Sequence, residues 1–201
     1  FLPMFMIIAA TVVGCTNEQK TETTNPLLLT YDTPFNVPPF DKIKDEHFKP
    51  AFDEALKQHK LEIDSIVNNT GEPTFANTIL ALENAGGLLR QVSTIFSNLN
   101  LANTNDTIQA LAKSIAPVLS AHNDEITLNS TLFGKIKTIW EKKQTLGLDA
   151  EDNKLLEETY KRFIRSGAGL KDQDKEKLKK INAEMSVPVS YTHLRAHETV
   201  L

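Results

Sequence analysis

The sequence predicts an all-α protein. Apolar residues recur at 3.6-residue spacing over most of its length, strand-type alternation over four or more residues is rare, and capping residues and Pro/Gly breaks punctuate the periodic stretches. About six helices follow from that pattern, arranged as antiparallel neighbours.

Residues 1–14 form a terminal apolar run, F-L-P-M-F-M-I-I-A-A-T-V-V-G, too short to cross a bilayer as a helix, which takes about 20 residues. It suits the apolar core of a secretory signal peptide. It ends in Val12-Val13-Gly14-Cys15 and turns abruptly polar, which resembles the bacterial lipobox. Cys15 is therefore the expected lipidation site, with 15–26 as a lipidated cysteine and polar tether. The competing reading is a buried N-terminal helix in which Cys15 is a small hydrophobe. No Met and no basic stretch precede Phe1, so a natural start is expected upstream.

Residues 27–186 carry the helical domain. Pro34, Pro38 and Pro39 keep 31–40 extended, and Tyr31, Phe35, Val37 and Phe40 are expected to strap it across the helices. The first helix is expected over about 50–67, with an irregular first turn from Asp45 and a stripe including Phe48, Phe52, Ala55, Ile63 and Ile66. Thr74 is a candidate N-cap for a second helix reaching about Leu99. Gly86-Gly87 interrupts that helix, which implies close helix contact or a kink. A third runs over about 105–126 with a bend at Pro117; Asn105 and Asn129, although in glycosylation-like tripeptides, read better as caps. A fourth follows Ser130, a fifth is capped by Asp149 and stopped by Gly167 and Gly169, and a sixth starts near Asp172.

Composition narrows the function. Lys+Arg 22 against Asp+Glu 26 gives a net charge of −4, which argues against a nucleic-acid partner. A single cysteine allows neither an internal disulfide nor a cysteine-based zinc site. Five histidines are scattered: His47, His59, His122, His193 and His197. His59 and His122 fall on or beside apolar stripes and read as core-edge residues with one hydrogen bond each. Asp53-Glu54 and Asp124-Glu125 read as solvated faces, since adjacent helical residues point about 100° apart. His193 and His197 have the i, i+4 spacing of a zinc pair, but Leu194 and Ala196 occupy the positions where the general base would stand. No catalytic and no metal-ligating residue is assigned.

The ordered text of the body is more specific than any of these motifs. Phe48-Lys49-Pro50-Ala51-Phe52-Asp53-Glu54-Ala55 and Pro73-Thr74-Phe75-Ala76-Asn77-Thr78-Ile79-Leu80-Ala81-Leu82-Glu83 resemble the peptidyl-dipeptidase Dcp and oligopeptidase A family of zinc metallopeptidases. So do Ala121-His122-Asn123-Asp124-Glu125-Ile126, the stretch from Leu146 to Leu156, and Tyr160, Phe163, Arg165 and Gly167-Ala168-Gly169-Leu170. Asn25-Pro26-Leu27, and Trp140 followed by Leu146-Gly147-Leu148-Asp149, resemble the Dcp branch more than oligopeptidase A.

The resemblance implies the N-terminal helical part of a two-lobed, channel-forming peptidase that removes C-terminal dipeptides from short peptides. Zn2+ would be held by an H-E-x-x-H and a further glutamate that this chain lacks. It also implies that the chain is inactive alone and marginally stable. With the lipobox, it places the protein on the bacterial cell envelope, facing the periplasm and tied to the membrane by its anchor; a cytoplasmic location, as in some family members, is the alternative. An oligopeptidase A-like endopeptidase, or a stand-alone peptide-binding or structural lipoprotein, are the competing functions. Residues 187–201 depart from the family pattern and look like a tail that recurs on unrelated conceptual translations, an expected artefact of assembly.

Overall fold

The computed structural model describes residues 25–198, with side chains through 186. Cys15, the apolar run at 1–14 and all but the end of the tether lie outside the described residues. So do the side chains of His193 and His197, which fall on the last stretch of the final helix. After a short 3-10 turn at Pro26–Leu28 and another at Pro34–Asn36 come α1 (Asp45–Val67), a π-helical turn (Phe75–Leu80), α2 (Ala81–Asn84), α3 (Gly87–Ala102), α4 (Asp106–Thr127), α5 (Ser130–Glu141), α6 (Ala150–Arg165) and α7 (Asp172–Glu198). Among the described residues there is no strand, so the all-α expectation holds.

Two apolar cores lie along α1. The first joins Leu27 to Phe48, Phe52 and Ala55 of α1, Val92 and Phe96 of α3, and Ile108 and Ile115 of α4. Phe48 and Phe52 both meet the Phe96 ring edge-on, with centroids 5.2 and 5.4 Å away. Each such aromatic removes about 2–3 kcal/mol worth of apolar surface from water. The second core takes the C-terminal half of α1 (Ile63, Ile66) and packs it with Ile79, Leu132, Ile136, Leu156 and Phe163. At its edge Trp140 stacks on Tyr160 at 4.7 Å, and the Lys143 ammonium sits 3.7 Å from the Trp140 ring centroid.

Capping fixes where most helices begin. Asn105, Asn129 and Asp149 each accept the backbone N–H three residues on, and Thr74 does the same for Asn77. α6 ends on Gly167 at φ 89, with the Ala168 N–H returning to the Phe163 carbonyl. α1 begins five residues before Pro50, because the His47 Nδ1 accepts the Lys44 N–H at 3.0 Å and closes the first turn. Pro50 removes only the donor to an exposed carbonyl in that turn. α4 runs through Pro117 as one helix.

Three sequence expectations are corrected. Phe35 does not pack as part of a strap: it is 99% exposed, because Phe35 and Asn36 both adopt positive φ (60° and 54°) and turn the side chain outward. Val37 and Phe40 are also exposed. The strap is held instead by buried Leu27, by Leu28 and Ile43, and by Tyr31, whose hydroxyl accepts a hydrogen bond from Gln91. Asp124 is not solvated, since it is buried between α4 and α7, where its Oδ1 accepts from Asn182 at 2.8 Å.

The second expected helix is not continuous. Gly86, at φ 72, separates α2 from α3. Both explanations offered by the sequence operate there. The chain bends, and the backbone also lies against α1: the Gly86 N–H donates to Glu62 Oε2 at 2.6 Å, and a Cβ at this position would stand 3.0 Å from the His59 ring.

Gly86→Ala should therefore lower the thermal midpoint of the chain by about 5 °C or more, through left-handed strain plus displacement of His59. Gly87→Ala meets open space and no positive φ, so it should leave the midpoint unchanged or raise it. Equal effects from the two substitutions would refute this account of the bend.

Candidate functional site

The polar side chains that the fold brings together lie on the seam between the two cores. α1 contributes His59 and Glu62, the bend contributes Gly86 and Arg90, and α4 contributes His122. The His59 Nδ1 and His122 Nε2 are 3.0 Å apart in a hydrogen bond, with ring centroids at 4.9 Å. One nitrogen donates and the other accepts, so at least one ring in the pair is neutral. Sequence spacing placed both histidines at the core edge but could not pair them, because they stand 63 residues apart.

Burial holds both imidazoles below their ordinary value. For His59 the charge of His122 adds to this, Glu62 opposes it and Arg90 reinforces it. For His122 Glu125 opposes the burial and Lys60 reinforces it. The same seam is tied at its other side by the α4–α7 contact. Asp124 is pushed upward by burial, against the pull of Asn182 and Lys179. Lys175, 6% exposed, donates to the Leu128 carbonyl at 3.0 Å and to Ser130 Oγ at 2.7 Å, so its charge sits on the carbonyl end of α4.

Beside the seam, a cavity of about 250 Å3 opens between the bend, α4 and α6, with His59, Arg90 and Arg162 in its wall. A larger, open depression of about 760 Å3 lies under the 28–38 segment against α3. Neither holds a catalytic constellation. Among the described residues no group of three His, Cys, Asp or Glu side chains is placed to hold a metal ion. The bonded histidine pair offers two ring nitrogens where catalytic zinc needs three protein ligands and an open position, so the zinc implied by the family resemblance does not fit here. Asp53 and Glu54 are exposed, and Asp53 pairs with Lys49 at 2.8 Å. Among the described residues no helix is long and apolar enough to cross a membrane.

Comparison with known proteins gives the seam a context. Over 172 residues the chain is 41% identical to a dipeptidyl carboxypeptidase of Salmonella typhimurium, and over 173 residues 39% identical to a dipeptidyl carboxypeptidase of Escherichia coli. Each match covers 86% of this chain and 25% of the relative. Oligopeptidase A of Escherichia coli is 24% identical over 163 residues, 81% of this chain and 23% of the relative. No family model matches. The chain thus spans about a quarter of the length of the curated relatives it matches.

The histidine pair yields a pH dependence of known sign. Histidine in the unfolded chain titrates near 6.5, and both folded values lie lower, so the unfolded state binds more protons as pH falls through that range. Stability should therefore decline from about pH 7 to pH 5. A His59→Gln/His122→Gln double variant should show a shallower decline in thermal midpoint over the same window. An identical pH profile in the two proteins would exclude the pair as its source.

Proposed function

From its membership of the dipeptidyl carboxypeptidase and oligopeptidase A family, we propose that this chain is the N-terminal helical wall of a zinc peptidyl-dipeptidase. The parent enzyme removes dipeptides from the C-termini of short peptides. The observation that carries this reading is the 41% identity to a dipeptidyl carboxypeptidase across 86% of the chain, set against 24% to oligopeptidase A. The difference favours the Dcp branch over an oligopeptidase A-like endopeptidase.

The zinc chemistry belongs to sequence outside these 201 residues, which contain no H-E-x-x-H. What this chain supplies is shape. α1 runs the length of two cores and holds α3, α4, α5 and α6 at fixed positions, giving a stiff helical wall that limits access to short, unfolded peptides. Cys15 carries the lipid that holds the enzyme to a membrane of the bacterial envelope, with the domain facing the periplasm at the end of the polar tether. Acyl chains contribute about 0.8 kcal/mol of membrane binding per buried CH2, enough for two or more chains to retain a soluble domain.

Two measurements test the proposal. The genomic reading frame across codon 186 should continue into an H-E-x-x-H, and the 201-residue chain alone should release no dipeptides in a chelator-sensitive assay. A stop codon at that point, or zinc-dependent release by the chain itself, would defeat the reading. For the anchor, cells expressing the protein should incorporate labelled palmitate into it and lose that label in Cys15→Ala; a Cys15→Ala protein that stays in the membrane fraction counts against lipidation.

A further inference from the structure

We propose that the cavity between the α2–α3 bend, α4 and α6 binds a small oxyanion, a carboxylate or phosphate group, through Arg90 and Arg162. The proposal does not rest on the reading above.

Its volume, about 250 Å3, exceeds a single water's share of about 30 Å3 several-fold and accommodates an oxyanion on a few further atoms. Two guanidinium groups from different helices line it, against one carboxylate, that of Glu83. Arg90 is held in place from behind. Its Nη2 donates to the Ala85 carbonyl at 3.2 Å and the Glu83 carbonyl at 3.4 Å, at the carbonyl end of α2, so the fork is oriented and keeps further N–H groups to give.

The Arg162 guanidinium makes no hydrogen bond or ion pair among the described residues, whereas on the same helix Lys154 pairs with Glu158 and Lys161 with Glu157. A guanidinium without a protein partner, in the wall of a cavity that a second arginine also lines, is an arrangement that a bidentate oxyanion completes. Asn123 also lines the cavity. The Thr127 hydroxyl is already used, donating to the Asn123 carbonyl at 2.9 Å.

The test is thermal melting of the full 201-residue chain in potassium phosphate, potassium succinate and potassium chloride at matched ionic strength. Phosphate also stabilises proteins by exclusion from their surface, so the readout is the difference between the native chain and Arg162→Gln. Arg162 is exposed and unbonded, so its replacement leaves the fold intact. The native chain should gain of the order of 3 °C over chloride, saturating at millimolar ligand, and Arg162→Gln should lose that gain while Arg162→Lys keeps part of it. A gain in phosphate alone assigns the site to phosphate groups, and a gain in succinate alone to carboxylates. No gain over chloride, a gain that climbs without saturating, or an equal gain in Arg162→Gln overturns the proposal.

Discussion

The bend at Ala85–Gly86 is the constraint from which the rest of the architecture follows. α1 is long enough to serve both cores, so the chain after it must first pack on its C-terminal half and then on its N-terminal half. A continuous helix over 75–102 would be a rod of roughly 40 Å that could lie along only one course. Gly86 lets the chain change direction in a single residue, and the Glu62 carboxylate accepts the N–H that the break leaves without a helical acceptor. Ile79 and Leu82 then reach the second core while Val92 and Phe96 reach the first.

Cationic side chains tie three helix ends to neighbouring helices. Lys135 donates to the Ile66 carbonyl at the end of α1, Lys175 to the Leu128 carbonyl after α4, and Arg90 to carbonyls at the end of α2. Three helix ends are thus closed by cations from elsewhere in the chain, which meets both the unpaired carbonyls and the negative end of the helix dipole. Among the described residues no buried side-chain nitrogen or oxygen lacks a partner. An unpaired buried polar group costs about 1–3 kcal/mol, so these ties fix the helix arrangement more tightly than apolar packing alone.

Local physics was legible in the sequence and long-range physics was not. Asn105, Asn129, Thr74 and Asp149 could be read as caps because a cap is an i to i+3 interaction written within four residues. The apolar stripes of α1 and α6 were legible for the same reason. Asp124 was misread because its partner, Asn182, lies 58 residues on, and nothing in the periodicity of α4 marks the face that meets α7. The same distance problem hid the His59–His122 bond and the convergence of Arg90 with Arg162. Phe35 failed for another reason: hydrophobicity predicts burial, but two consecutive positive φ angles, invisible to periodicity, decide where the ring goes.

The histidine pair and the cavity beside it differ in what they leave available. The histidine pair is self-contained: each ring nitrogen in the shared bond is already engaged, Glu62 is committed to Gly86, and lowered basicity keeps the pair from gathering charge. The ring nitrogens left outside that bond are fewer than the three protein ligands that catalytic zinc requires. Its work is therefore to hold α1, α4 and the bend in register. Arg90 and Arg162 carry their positive charge beside it, in the wall of the cavity between the bend, α4 and α6.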